Sequence, residues 1–235
     1  MIMKTTNLMT TKIQPLVFIL ALLISAPMFG QDYFEGEIEY KISYESLSRD
    51  VSASSLIALT GDKHWAYVKE DKFITIFESK KSIGTVKILV RLDEGYRYVM
   101  EERSDTIEKY RIDISTDKLI SLKKDYAVKK EVLGELCSSI TVIYEMMNGG
   151  ESIGIKKNTY YYSPKYPLNP ERYLIYRQGY WDRYAELARA FSIRNEVEYE
   201  DQFRIISEAV SIEEKSIPDS VFELDPNKVI KIMDE

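Results

Sequence analysis

His64 and Cys137 are the only histidine and the only cysteine in this 235-residue chain. A Ser-His-Asp relay would have to run through His64, because an imidazole must shuttle the proton. His64 stands between Lys63 and Trp65 at the start of an alternating segment, with no G-x-S-x-G elbow in the sequence. Its expected place is a surface or strand-edge position. Zinc draws three or four Cys, His or carboxylate ligands, which one histidine and one cysteine do not supply. The sequence holds neither a D-x-D-x-D-G calcium loop nor a glycine-rich phosphate loop. Glu196, Glu198, Glu200 and Asp201 cluster, but their alternation fits a solvated strand face. Cys137 has no second cysteine to pair with and reads as a small buried apolar residue. The expectation is a chain with no catalytic residue, no metal and no cofactor.

Shape is what remains, and the elements that set it are strands. Phe34, Ile38, Tyr40, Ile42 and Tyr44 share one face of an alternating run whose other face carries Glu and Lys. Period two means a half-buried strand. Trp65–Val68 and Phe73–Phe77 flank the charged turn 69–72 and read as a hairpin. Strands are also expected over 85–92, 96–100, 106–114 and 119–122. Ile140–Tyr144 and Thr159–Tyr162 surround Asn148-Gly149-Gly150, the strongest hairpin signal in the chain. Segments 193–199 and 203–213 return to strand patterning, and 217–224 (IPDSVFEL) closes the domain. The segment 48–60 fits a short helix or a loop. Nine or ten antiparallel strands in one sheet should curl.

One region is helical by pattern. Asn169-Pro170-Glu171 supplies an N-cap, a first-turn proline and a first-turn acid. After Gly179, residues Tyr180, Tyr184, Leu187, Ala188 and Phe191 follow amphipathic helical spacing, with Glu186 and Arg189 opposite. A curled sheet and this helix could enclose an apolar cleft for an acyl chain or another apolar ligand. The helix face Tyr180, Tyr184, Leu187 and Phe191 is the candidate ligand contact. The same pattern also fits an ordinary packed core. The 18 tyrosines suit either case, half-exposed sheet faces or an aromatic-lined cavity.

The first thirty residues carry an address. Lys4 and Lys12 precede the nine-residue apolar run Leu16–Ile24, followed by Ser25-Ala26-Pro27 and Gly30. That is the layout of a secretory signal peptide, and the run is well short of the roughly 20 residues that span a bilayer. Residues 1–30 are therefore expected to be a signal peptide, and 31–235 a single exported β-rich domain. Its expected location is the periplasm or the outer-membrane or extracellular side, soluble after cleavage. The net charge of −6 becomes more negative once Lys4 and Lys12 are removed. That argues against nucleic acid and against docking on anionic headgroups. Nothing points to a covalent dimer, and a monomer is expected.

Several segments together resemble a family of secreted proteins common in Bacteroidota whose fold is similar to the LolA/LolB lipoprotein carriers. They are 34–40 (FEGEIEY), 131–137 (EVLGELC), 160–164 (YYYSP), 169–173 (NPERY), 179–184 (GYWDRY) and 217–224. The resemblance implies a mainly β, α+β fold: a strongly curved antiparallel sheet, an open half-barrel, with one or two helices plugging its concave face. It implies no functional residue by position. The function expected is a non-enzymatic protein binding a lipid or another apolar ligand. The alternative is a cell-envelope protein–protein interaction module with a filled core.

Overall fold

The alternating segments pair into one sheet. The computed structural model describes residues 33–79 and 84–233; the expected signal peptide lies outside them. Twelve strands occur among the described residues: β1 Gly36–Ser46, β2 Lys63–Val68, β3 Lys72–Glu78, β4 Thr85–Arg91, β5 Tyr96–Glu101, β6 Thr106–Arg111, β7 Lys118–Val132, β8 Glu135–Asn148, β9 Glu151–Pro167, β10 Ala190–Tyr199, β11 Phe203–Glu214 and β12 Val229–Ile232. Their order is β12-β6-β5-β4-β3-β2-β1-β11-β10-β9-β8-β7, and the two ends do not pair. All neighbours are antiparallel except β12, which lies parallel to β6. The sheet is wider than the nine or ten strands expected. β12 gives no hairpin signal, because a parallel partner is not its neighbour in sequence.

Curvature follows from ring contacts across the sheet. Phe73 on β3 and Tyr160 on β9 sit five places apart in the order, which a flat sheet would hold about 24 Å apart. Their ring centroids are 6.4 Å and 5.3 Å from that of Trp181. The sheet therefore wraps around Trp181 as a half-barrel. Glycines set two of its details. Gly149 and Gly150 make the two-residue β8–β9 turn with φ of 58° and 88°, the left-handed values that a tight hairpin requires. Gly36 lets β11 approach, since a Cβ there would lie 2.2 Å from the Glu213 carbonyl oxygen.

Among the described residues three α-helices complete the fold: α1 Ala53–Thr60, α2 Pro170–Tyr173 and α3 Trp181–Ala188. Ser52 caps α1, which settles 48–60 as part loop, part helix. Asn169 caps α2 by accepting from the Glu171 N–H at 3.1 Å. The expected helix over 180–191 is shorter than its pattern. Tyr180 belongs to a 3-10 turn, Gln178–Tyr180, and takes a left-handed φ of 62°. Arg189 ends α3 in the same conformation, φ 53°, and Phe191 is the second residue of β10. Phe191 keeps helical phase only because the chain reverses at Arg189 back onto the same core.

Two cores result. The concave face packs α2 and α3 against Ile38, Tyr40, Val90, Ile140, Val142, Tyr160 and their neighbours. On the convex face, Ile217 and Phe222 of the closing segment cover Ile74, Leu89, Tyr98, Met100 and Ile107. Strands β3–β5 thus bury residues on both faces, which is why their apolar alternation is incomplete.

Candidate functional site

The four residues singled out by helical spacing have different surroundings. Tyr184 is fully buried, and its hydroxyl donates to the Ala190 carbonyl at 2.8 Å. It fills the concavity, with its ring centroid 4.6 Å from that of Tyr160. Leu187 packs at the edge of the same core. Tyr180 stands over Tyr144 at 5.5 Å and donates to the Asp117 carbonyl at 2.8 Å. Phe191 meets Phe34 and Tyr173 edge-on and lines a partly open cavity.

That cavity lies where α2 and α3 meet β1–β3 and β10. Its volume is about 100 Å³, bounded by Tyr40, His64, Phe73, Tyr173, Trp181 and Asn195 among others. Liquid water occupies about 30 Å³ per molecule, so the space suits a few waters or a small group of a larger ligand. Three polar atoms on its lining, His64 Nδ1, the Tyr173 hydroxyl and Asn195 Oδ1, are buried without a hydrogen-bond partner. Such atoms are costly to leave dry. Of the surface or strand-edge position expected, His64 keeps the start of a strand, as the second residue of β2, but not the exposure: it is 8% exposed. It stacks on Tyr40 at 4.5 Å and lies 4.9 Å from Phe77. Burial lowers its pKa to about 4, so it is neutral at pH 7. Burial likewise raises the Tyr40 and Tyr173 hydroxyls, which stay protonated.

Beyond the plug the concave face continues without a helix packed against most of it. The pairing registers carry the concave phase from the core residues Val68, Phe73 and Val90 to Phe77, Ile88 and Val99. On the other arm it runs from Tyr160 and Tyr40 to Val197, Ile205 and Phe203. All six are half-buried. At one end Tyr44 is held to α1 by hydrogen bonding to Thr60 and by donation to the Gly61 carbonyl at 3.2 Å; no residue of α1 is buried.

Two cations stand in the concave phase of the sheet. Arg97 occupies the concave phase of β5, opposite Val90. Lys156 occupies that of β9, opposite Tyr144 on β8 and Tyr199 on β10. Both bear on the buried Tyr176 hydroxyl, whose pKa burial raises and these two charges pull down. β5 and β9 are seven places apart in the sheet, so only the curvature brings them to one tyrosine. Sequence reading passed over both. Neither stands out locally, since Arg97 alternates with the apolar Tyr96, Tyr98 and Met100 and Lys156 with Ile153 and Ile155.

Nothing in this arrangement assembles a nucleophile. Cys137 is buried as expected, its thiol pushed up to about 11, chiefly by burial. Among the described residues no group of three or more His, Cys, Asp or Glu is placed to hold a metal ion. No described helix is long and apolar enough to cross a membrane. A second concavity of about 510 Å³ lies between the β4–β5 end and the closing segment, lined by charges of both signs such as Lys87, Glu102, Asp225 and Lys228.

Comparison with known proteins gives no matching family model and no matching curated protein. Among solved structures, the chain is similar to an uncharacterized conserved protein from Thermus thermophilus, with 6% identity, TM-score 0.41, and 85% of this chain and 91% of that one covered. It is also similar to a LolA superfamily protein from Nitrosomonas europaea, with 10% identity, TM-score 0.37, and 83% and 92% covered.

Proposed function

We propose that this chain is an exported, non-enzymatic binding protein that holds an apolar ligand on the concave face of its half-barrel. The observation that carries the reading is the row of half-buried apolar side chains, Phe77, Ile88, Val99, Val197, Phe203 and Ile205, left beyond the plug. A ligand laid there would remove apolar surface from water, contributing about 0.8 kcal/mol for each buried methylene. Trp181 reports on the site, because it packs between Phe73, Tyr160 and Tyr176 at its edge. Titration with n-alcohols of increasing length should change its fluorescence, with affinity rising about threefold to fourfold per methylene. A response that does not depend on chain length, or no saturable response up to dodecanol, would remove the proposal. Export is supported by the Lys4, Lys12 and Leu16–Ile24 pattern; fusing residues 1–31 to a reporter and finding it retained in the cytoplasm would refute it.

A second reading is favoured by how completely Tyr184, Ala185 and Ala188 fill the upper concavity. In it the core is closed, and the chain docks an envelope protein through apolar residues at the β7 end, such as Ile120, Tyr126 and Leu136. An alcohol series without binding, together with loss of a recovered partner on Ile120→Asp, would favour this second reading.

A further inference from the structure

We infer that the ligand's polar end is uncharged: a hydroxyl or primary amide at one end of its apolar chain sits in the cavity between His64, Tyr173 and Asn195. This rests on the reading of the concave face as a ligand site. His64 Nδ1, the Tyr173 hydroxyl and Asn195 Oδ1 belong to the lining of one partly open cavity of about 100 Å³, and each is buried without a hydrogen-bond partner in the protein. His64 is 8% exposed and Tyr173 1%. The three residues come from three separate elements, β2, α2 and β10. Other tyrosine hydroxyls of the same core have partners. Tyr40 donates to the Ser192 carbonyl at 2.8 Å, Tyr184 donates to the Ala190 carbonyl at 2.8 Å, and Tyr160 accepts from the Asn158 amide at 2.9 Å.

The three atoms specify the group that would meet them. A tyrosine hydroxyl donates, an amide oxygen accepts, and Nδ1 of a neutral imidazole does one or the other. A hydroxyl or a primary amide answers both kinds at once. Buried polar atoms left unpaired are costly, so a ligand group that pairs them is preferred over one that does not. Charge is disfavoured. Among the described residues the lining holds no Lys, Arg, Asp or Glu, and burial keeps His64 neutral at pH 7. A carboxylate there would lose its water and gain no counter-charge. The apolar trough begins beside the cavity. Val197 follows Asn195 in the concave phase of β10, and Phe77 is the cross-strand partner of His64, with ring centroids 4.9 Å apart. Head and tail therefore have adjoining places.

Matched ten-carbon probes test this through the fluorescence of Trp181, which lines the cavity: decan-1-ol, decanamide, 1-chlorodecane, and decanoate at pH 8. One hydrogen bond is worth about fivefold in affinity. Decanol or decanamide, or both, should bind the wild-type protein about tenfold or more tightly than decanoate, and which of them gains more identifies the head. Tyr173→Phe and Asn195→Leu, each checked for folding by circular dichroism, should lower the affinity for the better of the two, relative to 1-chlorodecane, by about fivefold. Tyr173→Phe removes a hydroxyl that has no partner in the protein, so the fold should tolerate it. An unchanged ratio in both variants leaves the three atoms to water and overturns the inference, with the apolar site still standing. Decanoate binding as tightly as decanol and decanamide overturns the uncharged head. Binding of none of the four overturns the inference together with the reading it rests on.

Discussion

Acid should destabilise this protein through His64. The ring is 8% exposed, stacked between Tyr40 and Phe77, and its environment lowers its pKa from 6.5 to about 4. The unfolded chain takes up the proton near pH 6.5 and the folded chain only near 4, so the stability tied to the neutral ring is complete above 6.5. It declines as pH falls between the two values and is lost below about 4. At about 1.4 kcal/mol per pH unit the total is about 3 kcal/mol. That is a large part of the 5–15 kcal/mol typical of domains. His64→Phe removes the titration, keeps an aromatic ring between Tyr40 and Phe77, and eliminates an unpartnered buried nitrogen. Urea unfolding of both proteins from pH 7.5 to 3.8 isolates the term, because every carboxylate titrates in both. Wild type should lose about 3 kcal/mol more than His64→Phe across that range. Parallel curves, or a His64 pKa near 6.5 by NMR in the native state, would refute the reasoning.

Three further outcomes follow from particular contacts. Gly36→Ala should destabilise the protein by at least about 2 kcal/mol in urea, because its Cβ would lie 2.2 Å from the Glu213 carbonyl oxygen and 2.9 Å from the Phe34 ring. Tyr184→Phe should lower stability by about 1 kcal/mol, since it removes the 2.8 Å bond to the Ala190 carbonyl from a fully buried site. Cys137, fully buried and with its thiol pushed up to about 11, should resist iodoacetamide at pH 8 in the native state and react on unfolding, as read by mass spectrometry.

Much of the sheet was legible because each strand needs only a local alternation to announce itself. β1, the β2–β3 hairpin and the β8–β9 hairpin lie where Ile38-Tyr40-Ile42, the 69–72 turn and Gly149-Gly150 place them. Caps were legible for the same reason, since Asn169 acts on an amide two residues away. The ends of α3 were not. Tyr180 and Phe191 continue its periodicity by facing the same core from non-helical backbone, and periodicity reports a shared face, not a continuous helix. β12 was hidden because its partner β6 is distant in sequence. His64 looked exposed beside Lys63, but a strand places neighbours on opposite faces, and Lys63 is the exposed one. The candidate site was the least legible part. Arg97 and Lys156 bear on one tyrosine only through the curvature of the whole sheet, which no local pattern encodes.

The most direct test of the central claim is native mass spectrometry of the protein purified under mild conditions from its own source, with lipid analysis of whatever is released. The account predicts a mass above that of the bare chain, carried by a compound with an apolar chain. A bare-chain mass, with no uptake of added dodecanoate or dodecanol, would contradict it.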